Sequence, residues 1–146
     1  MDLISMPKLN SLVAKLRHDY PTVQFILAQR DLFRPPQTIH YTAQTTPLIL
    51  LHELGHYLVG RDDFHSDIEL LQLESLAWER AKQLCPKYHI AWDEDYAQDH
   101  LDSYRNYLYA ASLCPNCNIT GHQDDHGNYH CPLCFRSWPS PGRPDY

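Results

Sequence analysis

Apolar positions in the first sixty residues follow two rhythms. In PKLNSLVAKLRHDY they fall at Leu9, Leu12, Val13 and Leu16, the spacing of one helical face, with Pro7 near the start and Pro21 as a stop. TVQFILA (Thr22–Ala28) is rich in β-branched and aromatic residues and predicts a strand; RDLFRPPQ, with two prolines, reads as a loop; TIHYTA (Thr38–Ala43) predicts a second strand. TPLILLHELGHYLV then returns to the helical rhythm, with Thr46 able to cap, Pro47 suited to the first turn and Gly60 at the end.

Beyond a polar RDDFHS loop, DIELLQLESLAWERAKQLC (Asp67–Cys85) predicts a long helix stopped by Pro86. Trp92–Leu113 predicts another, acidic at its start and rich in tyrosine. From Cys114 the texture changes to short CxxC units with Gly, Asn and His, and the tail SWPSPGRPDY is proline-rich and reads as loose. The expected organisation is a main domain over 1–113, a small metal-bound appendage over 114–138 and a flexible tail over 139–146.

Composition narrows the classes. With 146 residues, 43% hydrophobic and 21% charged, the chain suits one compact domain plus an appendage and argues against wholesale disorder. Twelve basic against eighteen acidic residues leave a net charge of -6, which disfavours a broad electrostatic grip on nucleic acid. No run of about twenty apolar residues is present, so no membrane span is expected. MDLISMPKLNSL offers no basic segment followed by a long apolar one, so no secretory signal is expected either. Four of the five cysteines stand in two CxxC pairs, which points to metal ligation in a reducing, cytoplasmic setting rather than to disulfides.

The chemistry concentrates in LLHELGHYLVG. Residues four apart on a helix share a face, so His52 and His56 can aim their imidazoles at one point. Glu53, one position on, lies to the side, placed to take a proton from a metal-held water without occupying the metal; zinc lowers the pKa of such a water toward about 7. The flanking Ile49, Leu50, Leu51, Leu54, Tyr57 and Leu58 make the helix mostly apolar. Two histidines buried there need satisfaction, and a shared zinc provides it. Gly55 would let another segment approach closely.

A catalytic zinc usually takes a third protein ligand. Glu74, eighteen positions after His56 on the next predicted helix, shares a face with Leu70, Leu71, Ala77 and Trp78, with Ala77 and Ala81 small enough for close helix packing. His65 is the main rival, and Glu69 and Glu79 are further candidates, Glu79 being turned away from that face.

HELGHYL followed by Glu74-x-x-Ala77-x-x-x-Ala81 and Leu84-Cys85-Pro86 resembles the ImmA/IrrE-type metallopeptidases, on the gluzincin side of the zincins. Those proteins show a HELGH helix and then a helix reading E-x-x-A-N-x-F-A that ends in a leucine-rich turn with proline. The likeness covers roughly Thr38–Pro86, about a third of the chain. It departs from the pattern at Trp78, at Arg80 and in a turn one residue shorter. The resemblance implies a zincin-like fold, His52, His56 and Glu74 as zinc ligands, Glu53 as general base, and peptide-bond hydrolysis in a protein partner such as a repressor or regulator. A lesser resemblance is to SprT-like DNA-associated proteases, which also join an HExxH helix to a zinc ribbon but take a third histidine from a His-Gly pair; here His65 precedes Ser66.

CPNC (Cys114, Cys117) and CPLC (Cys131, Cys134) are separated by thirteen residues. Two such turns complete a tetrahedral four-thiolate zinc site with no open position, a structural site that supplies the folding energy a short segment lacks. Trp138, Phe135, Tyr129 and Arg136 are candidates to face a partner. Asp124 and Asp125 at the tip disfavour phosphate, so a protein is the preferred partner over nucleic acid. His122, His126 and His130 read as surface residues, Cys85 as a buried helix-end residue, and Tyr104, Tyr107 and Tyr109 as packing. Together these readings predict an α+β protein: a minimal zincin-like domain with a small sheet and a four-cysteine zinc ribbon, holding one catalytic and one structural Zn2+. The alternative is a non-catalytic, zinc-stabilised binding or regulatory module.

Overall fold

The computed structural model describes residues 6–144. Among the described residues it is an α+β protein of four helices and two small three-stranded sheets. The chain divides into two compact units: one runs up to Asp62 and adds Leu76–Asp93, and the other joins Asp63–Ser75 to the chain from Glu94 onward.

In the first unit, α1 (Met6–Asp19) buries Leu9, Leu12, Val13 and Leu16, the four positions its periodicity marks. Three strands follow, β1 (Gln24–Leu27), β2 (Leu32–Arg34) and β3 (Thr38–Tyr41), in spatial order β1-β3-β2. β3 pairs in parallel with β1, Phe25 opposite Ile39, and antiparallel with β2, Phe33 opposite Ile39. β2 lies inside the segment that reads as a loop. It is three residues long, too short for period-two alternation to show, and tertiary pairing with β3 overrides the local proline signal.

α2 (Pro47–Val59) begins as expected: the Thr46 side chain accepts from the Ile49 amide at 3.3 Å, and Pro47 opens the first turn. Gly60, with φ of 79°, ends it in the left-handed cap conformation. Leu48, Leu50, Leu51 and Leu54 are buried, each stabilising the fold by about 1.5–3 kcal/mol relative to exposure. After α3 (Asp67–Leu84), Cys85 is buried, and that burial pushes its thiol pKa up, so it is a core residue rather than a nucleophile. The Tyr88 hydroxyl donates to Asp19 Oδ2 at 2.6 Å and ties this turn to the end of α1.

The second unit contains the start of α3, all of α4 (Glu94–Ala111) and the cysteine segment. Ser66 caps α3 by accepting from the Glu69 amide at 3.2 Å, while the Glu69 carboxylate accepts from the His65 amide at 3.2 Å. α4 buries Ala97, Leu101, Tyr104 and Leu108 along one stripe, and Leu70, Tyr104 and Leu108 form a core against which Phe64 and Leu71 pack. Tyr104 thus packs as expected, whereas Tyr107 and Tyr109 are exposed.

The cysteine segment forms β4 (His122–Gln123), β5 (Asn128–His130) and β6 (Ser137–Pro139), an antiparallel sheet in that order. Asp124 makes the turn: its Oδ1 accepts from the His126 and Asn128 amides at 2.8 and 3.0 Å, and its Oδ2 pairs with His130 Nε2 at 2.7 Å. These contacts, His130 first, pull its carboxyl down to about 2. Two of the aromatics offered to a partner face inward. Tyr129 is 2% exposed, with its hydroxyl donating to Asp67, and Trp138 donates its indole N–H to the Ala111 carbonyl at 2.8 Å. Buried hydroxyl and indole groups need such partners, and α3 and α4 supply them. Phe135, 83% exposed, and Arg136 remain on the surface, as do His122 and His126. Nor is the start of the tail loose: Ser140 donates from its hydroxyl to Asp67 Oδ1 at 2.8 Å and from its amide to the Gly127 carbonyl at 3.0 Å. Positions 145 and 146 of that tail lie outside the described residues.

No helix among the described residues is long and apolar enough to cross a membrane.

Candidate metal centres

Two groups of metal-ligating side chains come together among the described residues: His52, His56 and Glu74, and Cys114, Cys117, Cys131 and Cys134. Within each group the ligand atoms all lie within 4.8 Å of one another.

The first group rests on a close helix approach. A Cβ added at Gly55 would lie 2.2 Å from the Ala77 carbonyl oxygen and 3.0 Å from its carbon. Only glycine permits that contact, and it brings the backbone of α3 against the histidine face of α2. Glu74 lies one turn before Ala77 and Trp78 on the same unbroken helix, so its position follows from theirs. His52, His56 and Glu74 are respectively 2%, 8% and 0% exposed.

Neighbouring rings hold the imidazoles. Trp78 stacks on His52 with centroids 4.2 Å apart and planes 13° from parallel. His52 meets His56 edge-on at 4.6 Å, and Phe33 lies parallel to His56 at 6.1 Å. Two imidazole nitrogens and a carboxylate oxygen, converging in a buried place, are a donor set that could hold a metal ion such as zinc. A buried carboxylate beside two buried imidazoles is a place that a divalent metal can join. The residues fit the ion.

Glu53 keeps access: its side chain is 13% exposed, and its Oε1 lies 3.6 Å from His52 Nδ1. Asp31 is near enough to feel its charge. The Asp31 carboxylate accepts a hydrogen bond from the Thr45 hydroxyl, and Thr45 in turn accepts from the Thr42 amide at 2.7 Å. Burial pushes the Asp31 carboxyl pKa up, and the negative charge of Glu53 adds in the same direction.

The other candidates for third ligand stand elsewhere. His65 is exposed in the loop before α3, Glu69 serves the helix cap, and Glu79 is exposed.

The cysteine group consists of two matching turns. The amides of Asn116 and Cys117 donate to Cys114 Sγ at 3.4 Å, and those of Leu133 and Cys134 donate to Cys131 Sγ at the same distance. Each turn closes through the next residue: Asn118 donates to the Cys114 carbonyl at 2.8 Å and Phe135 to the Cys131 carbonyl at 3.0 Å. Both residues take the left-handed conformation, with φ of 58° and 63°. Asn tolerates it; Phe135 does so at a cost. Cys114 and Cys134 sulfurs approach to 3.6 Å. The Arg136 amide pulls the Cys134 thiol down to about 6, and its hydrogen bonding with Cys134 pushes Cys117 up to about 12, a division that a bound cation would replace with four thiolates. Four sulfurs leave no open coordination position, so the group suits a structural ion.

Sequence reasoning missed Phe33, Asp31 and the stacking role of Trp78. It also missed Arg143, whose Nη1 reaches Glu74 Oε2 at 3.5 Å. No local pattern marks any of them, since each meets the centre only through the fold.

Comparison of the chain with protein-family models, with curated proteins and with solved structures finds no match.

Proposed function

We propose that this chain is a zinc-dependent metallopeptidase of zincin-like type that cleaves a protein partner, with a second zinc holding its ribbon. The observation that carries this reading is the meeting of His52, His56 and Glu74 beside a more accessible Glu53. When bound, the zinc supplies a Lewis acid that polarises a carbonyl and makes water easier to deprotonate. His52, His56 and Glu74 hold the ion; the Trp78 and Phe33 rings restrict how the imidazoles turn. Glu53 takes the proton from water and passes it to the leaving amine. The resemblance of HELGHYL and the Glu74 helix to ImmA/IrrE-type enzymes supports a regulator or repressor as substrate. The net charge of -6 argues against a nucleic-acid target.

Metal content tests the two-site arrangement. Wild type should carry about two zinc per chain, and His52→Ala should lose one and keep the other. A single zinc in the wild type would refute it.

Glu53→Gln separates enzyme from binding module. The variant should keep both zinc ions while losing about 10²–10⁴-fold in cleavage rate, the range expected for a missing general base. The readout is the set of new peptide N-termini in cells making the wild type, compared with cells making the variant. Identical sets would discard the peptidase reading in favour of a zinc-stabilised binding module.

A further inference from the structure

The C-terminal segment brings a basic side chain against Glu74, and it arrives by a built path. β6 ends at Pro139; Ser140 is then fixed at both ends, its hydroxyl on Asp67 and its amide on the Gly127 carbonyl. The Gly142 amide donates to the Ser140 hydroxyl oxygen at 3.3 Å, and a φ of 73° at Gly142 turns the chain back, a conformation that a side chain would strain. A Cβ at Gly142 would also touch the Phe64 ring, 3.8 Å away. Arg143 follows at once. Its guanidinium lies over the Phe64 ring, 5.4 Å from the centroid, and its Nη1 is 3.5 Å from Glu74 Oε2. Glu74 is fully buried, whereas the Arg143 side chain is 34% exposed.

A carboxylate that gives one oxygen to a metal has a second oxygen that can accept from a donor. Such outer partners fix the orientation of a ligand and help balance its charge. The planar guanidinium, braced on an aromatic face, is well suited to hold a carboxylate in one rotamer.

We propose that Arg143 is a positioning residue for the metal ligand Glu74, and that the ribbon, by anchoring the strap Ser140–Arg143, sets the affinity of the His52–His56–Glu74 centre. This rests on the reading of Glu74 as a zinc ligand. The ribbon is then more than an appendage: its last strand delivers the group that orients a ligand of the other metal.

The test is chelator competition on the full chain loaded with two zinc ions. Arg143→Ala should weaken one of the two ions about 10–100-fold, the range for lost outer partners, and leave the other unchanged. Arg143→Lys, which keeps the charge but not the fork, should recover part of the loss. The melting temperature of the metal-free chain should change little in either variant. Unchanged affinity in Arg143→Ala would overturn the proposal, as would tighter binding, which would make the guanidinium a rival of the metal. Equal loss in both variants together with a lower metal-free melting temperature would also overturn it, by making Arg143 a packing residue. If Glu74→Gln fails to weaken either zinc, the ligand assignment falls and takes the proposal with it.

Discussion

Gly55→Ala should lose the native packing of α2 on α3 and with it one of the two metal ions. The direction of the effect is itself diagnostic. At an ordinary helical position, replacing Gly by Ala stabilises by about 1 kcal/mol through helix propensity. Here the new methyl would meet the Ala77 oxygen at 2.2 Å, its carbon at 3.0 Å and its Cα at 3.2 Å. All three are backbone atoms, so no side chain can turn aside, and one helix must move away from the other. Overpacking of this kind costs about 1–3 kcal/mol and more where the backbone must shift. In a domain of about this size each kcal/mol is worth several degrees, so the melting temperature should fall by roughly 10 °C or more. The moved helix also carries Glu74 away from the imidazoles, so zinc analysis should find one ion instead of two. A rise in melting temperature would show that the helices do not approach as described.

Stripping the ribbon metal should have an effect of similar size, centred on the cysteine segment. A structural zinc contributes on the order of 10–16 kcal/mol of apparent binding energy, and a segment of about twenty-five residues has no core of comparable worth. Cys131→Ser, or a strong chelator, should therefore unfold residues 114–139. Trp138 would lose its bond to the Ala111 carbonyl and Tyr129 its bond to Asp67. Hydrogen exchange should show protection vanishing from the amides of Asn128 and His130, while those of α1 and α2 stay protected. Persistent protection in the metal-free ribbon would mean that its hydrogen bonds to α3 and α4 suffice.

Much of the fold is legible in sequence because its signals are local. A capping threonine, a first-turn proline and a terminal glycine bound α2 within a residue, and the Leu9–Leu12–Val13–Leu16 stripe gives α1 its buried face. The meeting of His52, His56 and Glu74 is legible for a related reason: four-residue spacing forces the two histidines together, and periodicity puts Glu74 on the face of α3 that carries Ala77 and Trp78. What stays hidden depends on partners remote in the chain. β2 exists because β3 pairs with it. Tyr129 and Trp138 read as exposed recognition residues because their acceptors, Asp67 and the Ala111 carbonyl, lie sixty-two and twenty-seven positions away. Arg143 sits in a run of prolines that reads as slack, and only the anchoring of Ser140 reveals its destination.

The indole stacked on His52 has a consequence of its own. Trp78 touches the imidazole face to face at 4.2 Å, and Trp92 stands edge-on to Trp78 at 6.2 Å. Any charge placed on that imidazole, by a proton or by a cation, acts directly on the excited state of the ring lying against it. On the proposed reading, the arrival of a metal at His52 should change tryptophan emission, which makes the stacked indole an optical gauge that needs no dye, label or substrate.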